Sequence, residues 1–521
     1  MNVLDRRATT PFYFASLLSR TAFSDASVNQ PSTSAMDVPA SEQPQAEPSR
    51  SRQPSGPTTS VATYVVFICT AAALGGLLFG YDTAVISGTV GFLQAHFELS
   101  AAGIGWATSS GVLGSVLGVS ISGVLSDGIG RKKTLLLSAL LFLISAIGTA
   151  LAEVFAMFVA FRLLGGMGVG IASMTAPMYI AEVSPAHVRG SMVSIYQLAI
   201  VIGIQVVYFA NYFIAGHGTE AWNEAVGWRW MFGSEALPAL LFLGALFFVP
   251  ETPRWLVGAG RRGDARDILD RLIGKGRAPA RMDEIETAIV QESGSVRQLF
   301  QPGLRILLVV GVALAVFAQA SGINAVIYYA PEIFRKMGAS TDVAFLRTVT
   351  VGTVNFLFTF VAIIYVDRFG RRPLLITGAA GMFIAHMVLG GAFFFEIVGG
   401  WTLVFVLGFV GCFAFSLGPV TWVVLSEIYP NRVRGRAMSI ATVCLWITNF
   451  VVSQTFPMMT QSDALNRLFN GAFPFWLFAA FCALATGFVW RFVPETKGKS
   501  LEEIEEMWGL NLALNGEEIP P

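Results

Sequence analysis

The sequence predicts an all-α membrane protein: twelve transmembrane helices in two six-helix bundles, with short cytosolic helices between the halves. Three observations predict it. Apolar residues fill 54% of the 521 positions and charged residues only 13%, against about 25% charged in a soluble globular chain. Twelve segments are long and apolar enough to cross a bilayer, which takes roughly 20 residues. Finally, a set of motifs in the first half returns in the second half in the same order.

Taken in chain order, residues 1–60 are rich in Ser, Pro, Gln and Thr without sustained apolar periodicity, and read as a disordered N-terminal tail. Its Arg-bearing start weakly resembles a transit peptide; the preferred reading is an over-long gene model, with Met36 as a candidate start. Spans begin near Val61, Ala101, Thr134, Val154, Ser191 and Arg229, giving an N-terminal bundle over 61–249. Residues 250–303 are rich in Arg, Asp and Glu and form a cytosolic linker, where amphipathic stretches such as "DARDILDRLI" predict surface helices. Spans resume near Leu304, Ala344, Pro373, Trp401, Ala437 and Gly471, giving a C-terminal bundle over 304–493, and 494–521 form a cytosolic tail.

Lys and Arg together number 34, as do Asp and Glu, so net charge offers no case for a nucleic-acid partner. Their placement says more. Basic residues crowd the even-numbered loops, at Arg131–Lys133, Arg189, the linker, Arg368–Arg372 and Arg432–Arg436, whereas Arg335, Lys336 and Arg347 are exceptions. The positive-inside rule then puts the even loops and both termini in the cytoplasm. The four cysteines lie in apolar runs without ligand spacing and read as packing thiols. The four histidines are scattered, H-E-x-x-H and G-x-S-x-G motifs are lacking, and "KGKS" has no leading glycine. Neither an enzyme nor a metal or cofactor is expected.

The repeat pairs "SDGIGRKK" with "VDRFGRRP", "EVSPAHVRG" with "EIYPNRVRG", and "VPETP" with "VPETK", each about 240 to 245 residues apart. Parallel halves around a central site are the architecture of rocking transporters. Asp127, Arg131, Glu182 and Arg189, with their counterparts Asp367, Arg371, Glu427 and Arg434, all lie at cytosolic helix ends. They are expected to latch the two halves together in one state and release them in another.

Polar side chains inside spans mark function. Asp82 stands in the outer half of the first span, and Arg162 and Glu235 lie about two turns from the outer ends of the fourth and sixth, roughly 10 Å deep at 1.5 Å per residue. All three charges can share one layer, where a second carboxylate competes for the same cation. Gln197, Gln319, Asn324, Asn355, Trp422, Trp446 and Asn449 supply the directional bonds and aromatic faces that a sugar needs. Gly322, and Gly418 with Pro419, would break the seventh and tenth helices nearby.

The ordered set "GYDTAVISG", "GRKK", "RLLGG", "PMYIAEVSPAHVRG", "VPETPRWL", "GINAVIYYAP", "DRFGRRP", "GPVTWVVLSEIYPNRVRG" and "VPETKGKS" resembles the sugar porter family of the major facilitator superfamily. In motifs it is nearest to the bacterial proton-coupled xylose and hexose symporters. The resemblance spans residues 61–508 and implies the major facilitator fold. It also implies that Gln197, Gln319, Asn324, Asn355, Trp422 and Asn449 bind a monosaccharide, walled by Phe79 and Trp446. It implies Asp82 as the proton site with Arg162 as its partner, where animal facilitators carry asparagine. Ala318, Ile204 and Leu445 are apolar where relatives can be polar, which leaves the sugar's identity open, and Gly128 replaces a frequent Arg in the first basic turn. The expected activity is proton-coupled symport of a hexose or pentose by alternating access, by a monomer in a bacterial inner membrane. The alternatives are a facilitative sugar or polyol uniporter and a non-transporting sugar sensor.

Overall fold

The computed structural model describes residues 59–185, 188–274, 276–291, 296–301, 304–430, 433–498 and 503, and the remainder of both predicted tails lies outside this set. Among the described residues the chain is helical with no strand. Twelve helices are long and apolar enough to cross a membrane. In the first half they are α1 (Thr63–Gly88), α2 (Ala101–Ile129), α3 (Arg131–Ala150), α4 (Phe155–Val183), α5 (Arg189–His217) and α6 (Glu220–Phe247). In the second they are α7 (Leu304–Lys336), α8 (Thr341–Val366), α9 (Arg371–Phe394), α10 (Thr402–Ile428), α11 (Arg434–Thr460) and α12 (Phe473–Phe492). Helices are what such sequences form, because hydrocarbon offers a backbone N–H no other partner. Between the halves, Pro253–Gly258, Arg262–Ile273 and Ala278–Gln291 are short helices. The second holds the predicted amphipathic stretch and buries Ala265, Leu269 and Leu272.

One residue, Gly130, separates α2 from α3, and since the helix that contains α8 runs on to Phe369, one residue, Gly370, precedes α9. Gly130 (φ 96°, ψ 157°) and Gly370 (φ 86°, ψ 158°) take a backbone conformation that is essentially glycine's alone. Neither supplies a capping side chain, so the first N–H groups of α3 and α9 need an outside acceptor. It comes from the "VPET" repeat. Glu251 accepts from the N–H of Arg131 at 3.0 Å and of Lys132 at 3.1 Å, and Glu495 accepts from Arg371 at 3.0 Å and Arg372 at 3.1 Å. A carboxylate at a helix N-terminus also meets the positive end of its dipole. A Cβ on either glycine would run into that carboxylate. Burial pushes the Glu251 carboxyl up from its ordinary range, against the lowering pull of the Thr252, Lys132 and Arg131 amides.

Three spans are broken. The sixth begins at Glu220, not near Arg229 as expected, because Thr219 caps the Trp222 N–H at 3.3 Å. It then passes through a wide turn over Asn223–Gly227 and bends again at Ser234–Glu235. The seventh breaks where expected, between Ala320 and Ile323, with Gly322 left-handed at φ 86°. The carbonyl of Ser321, freed there, accepts from Nε2 of the buried His386 on α9 at 2.9 Å. The tenth breaks at Ser416, just ahead of the expected Gly418 and Pro419. Pro419 has no N–H for the Phe415 carbonyl and its ring crowds that carbonyl, so the interruption falls before the proline.

The halves meet chiefly near the end opposite the basic turns. There Phe92 stacks on Phe345 at 6.5 Å, Trp106 meets Phe450 edge-on at 6.1 Å, and Tyr208 donates to the Ile327 carbonyl at 3.0 Å. Two of the exceptions to the charge bias take part in structure at this end. Arg335 pairs with Glu332 at 3.3 Å and lies over Phe92, and Lys336 donates to the Thr460 carbonyl at 3.0 Å.

Candidate functional site

Asp82 lies one turn before α1 ends in a tight 3₁₀ turn at Ile86–Gly88. Arg162 of α4 donates through Nη1 to Asp82 Oδ1 at 2.5 Å, with Nη2 near the Asp82 carbonyl at 3.5 Å. Each residue is only 3% exposed, and Glu235 is 1% exposed. Gly111 leaves the space that the guanidinium occupies, and Phe232 lies 5.5 Å beneath it. Glu235 sits at the bend of α6, three residues after the Phe232 that lies against the Arg162 guanidinium. It makes no ion pair with Arg162, and its Oε1 is buried without a hydrogen-bond partner among the described residues. The three charges expected in one layer are thus brought together, with one acid paired and one waiting. Taking such a pair out of water costs several kcal/mol per ion, which the attraction between the two charges and their hydrogen bonds have to offset.

Two of the polar candidates, Gln319 and Asn324, flank the break in α7. Asn324 donates across it to Gln319, and both side chains are nearly buried. Asn449 is engaged at both ends: its Nδ2 donates to Tyr328 Oη at 3.1 Å and its Oδ1 accepts from Ser453 at 3.0 Å. Trp446 packs on Phe79 across the halves, with centroids 5.5 Å apart. Gln197, Asn355 and Trp422 bond to no described residue through their side chains, so their donors and acceptors stay available. Tyr328, to which the sequence reading gave no role, holds Asn449 by accepting from its amide.

A family model described as "Sugar (and other) transporter" matches residues 68–508. The chain belongs to the sugar transporter family. It is 45% identical over 473 residues to the D-xylose-proton symporter of Escherichia coli K12, covering 86% of this chain and 96% of that one. It is 42% identical to the glucose facilitated diffusion protein of Zymomonas mobilis, over 84% and 96% of the two chains. Among solved structures, the partially occluded inward open conformation of the xylose transporter XylE from E. coli aligns with a TM-score of 0.76. That alignment has 42% identity and covers 84% of this chain and all of that one. The twelve-helix fold is therefore the major facilitator fold that the motifs implied.

In this sugar transporter the expected latch is built differently from the expectation. Arg131 pairs with Asp127 at 3.1 Å and Glu182 at 3.2 Å, tying α2, α3 and α4 of one half. Arg371 pairs with Glu427 at 2.9 Å, tying α9 to α10 of the other, and Thr496 donates to the same glutamate at 2.6 Å. Arg434 donates to the Tyr429 carbonyl at 3.2 Å, whereas Arg189 Nε has no hydrogen-bond partner among the described residues. The Asp367 side chain lies outside the described set. Asp127, Glu182 and Glu427 thus each find an arginine inside their own half, and none of these pairs bridges the halves. The turn Gly130–Arg131 places the guanidinium over its own bundle, which the repeat interval alone does not reveal.

Proposed function

We propose that this chain is a proton-coupled symporter of a monosaccharide, hexose or pentose, that works by alternating access. The observation that carries the proposal is the buried Asp82–Arg162 pair with Glu235 unpaired beside it. Asp82 takes a proton from outside, which releases Arg162 toward Glu235. With sugar bound, the bundles 61–249 and 304–493 rock inward about the linker 250–303. Loss of the proton to the cytosol restores the pair. Gln197, Gln319, Asn324, Asn355, Trp422 and Asn449 bind the sugar, with Phe79 and Trp446 as the wall that separates it from the charge layer. The basic loops and both termini face the cytoplasm of a bacterial inner membrane, and one chain is the working unit.

The expected result is that Asp82→Asn abolishes uphill accumulation driven by an imposed proton gradient, while sugar binding and sugar exchange persist. Asparagine keeps the shape and accepts from Arg162 without titrating. Uphill accumulation by the Asn variant would remove Asp82 from the coupling. The second reading is facilitation, favoured by the likeness to a facilitated diffusion protein; wild-type uptake indifferent to the gradient would establish it.

A further inference from the structure

Two contacts between the halves have no counterpart among the family motifs. Gln454 on α11 accepts from Ser109 Oγ on α2 at 2.7 Å and donates through Nε2 to the Ala102 carbonyl at 3.1 Å. Gln205 on α5 donates to Thr353 Oγ1 on α8 at 3.2 Å, and that hydroxyl donates onward to the Val349 carbonyl at 2.9 Å. In both, a glutamine of one half reaches a hydroxyl of the other.

The internal repeat relates them. The interval of 245 from Glu182 to Glu427 carries Gln205 to position 450, one helical turn short of Gln454. The interval of 240 from Ser126 to Val366 carries Ser109 to position 349, one turn short of Thr353. Since α11 runs toward the outer end and α2 runs away from it, both offsets place the Gln454 contact one turn nearer the outside. Each hydroxyl-bearing helix also carries a glycine at the crossing. A Cβ on Gly105 would meet Gln454, and one on Gly352 would meet Gln205 and Tyr208. The backbone is cleared for the glutamine in both places.

Polar side chains between helices of one bundle are ordinary glue. Between bundles that move apart, the same bonds become a bias on the conformational equilibrium. We propose that Gln454–Ser109–Ala102 and Gln205–Thr353 are two clasps that hold the outer ends of the halves together in the inward-facing state. They have to break before the outside opens. Gln454 uses both ends of its amide, whereas the Gln205 Oε1 is buried without a partner among the described residues, so the Gln454 clasp is the stronger. The inference rests on alternating access and on the assigned orientation, and is independent of which sugar is carried and of proton coupling.

The test is a distance measurement by electron paramagnetic resonance on the full-length protein in lipid nanodiscs, with native cysteines replaced and spin labels at Ala95 and Gln461. Gln454→Leu is expected to raise the ratio of long (outer-open) to short (outer-closed) distances about tenfold, equivalent to about 1.4 kcal/mol. Ser109→Ala alone is expected to raise it roughly threefold and to add nothing in the Gln454→Leu background, because both remove the same bond. Gln205→Leu is expected to raise it roughly threefold. A Gln454→Leu ratio equal to wild type, even with a lowered melting temperature, would make the glutamine mere packing and overturn the proposal. Should that variant not express, an unmoved ratio in Ser109→Ala overturns it equally. A single distance in wild type with and without sugar contradicts alternating access itself, whereas two distances indifferent to Gln454 contradict only the clasp.

Discussion

Arg162 illustrates how much one side chain can hold at the residue scale. Truncating it strands Asp82 as a buried carboxylate, at a cost of about 3–5 kcal/mol. Arg162→Ala is therefore expected to lose thermal stability at neutral pH, and Arg162→Ala with Asp82→Asn to recover most of it, as melting in detergent would show. In the proposed sugar site, Asn324→Ala removes the bond to Gln319 and, with it, the bonds proposed to sugar. At about 1 kcal/mol per net bond, roughly fivefold weaker sugar binding is expected by calorimetry. Trp422→Ala is expected to weaken it further by loss of an aromatic face. Wild-type binding in both would place the sugar elsewhere. Asp82, Arg162 and Glu235 were legible in the sequence because charges in apolar runs are conspicuous. The bond between Tyr328 and Asn449 was not, since a tyrosine in a span reads as packing until its hydroxyl has a partner.

The decisive features at the scale of elements are the helix ends and breaks. Glu251→Ala and Glu495→Ala each strip the first amides of α3 or α9 of the carboxylate that accepts from them, and a lost cap costs about 0.5–2 kcal/mol. Their melting temperatures should fall by similar amounts, given the matched geometry of the two sites. His386→Leu leaves the Ser321 carbonyl at the α7 break without its donor. His386→Gln, which retains an N–H donor, is expected to keep more uptake than His386→Leu at equal expression; equal losses would assign His386 to packing alone. Gly322 announced the break in α7 because a left-handed residue there has to be glycine. The start of α6 was hidden by Glu220, Glu224 and Arg229, whose charges interrupt the apolar pattern while Thr219 and the wide turn keep the helix going. The "VPET" repeat was visible, but a carboxylate's partners on another helix cannot be read from its own neighbours.

On the scale of the whole molecule, the repeat gave two like halves. It did not give the partners of Glu182 and Glu427, which pair within their own bundles. The orientation proposed from the basic loops has a direct test: a reporter fused after Gly274 is expected in the cytoplasm, and a tag inserted at Gly218–Thr219, between α5 and α6, outside. Swapped accessibility would invert the direction of every step proposed above. The central claim, that sugar and proton move together, is tested most directly by pH recording in weakly buffered proteoliposomes. Adding a transported sugar to the medium is expected to make that medium more alkaline as protons enter with it, and Asp82→Asn is expected to show no such change. Sugar entry into wild-type vesicles without any alkalinisation would contradict the account.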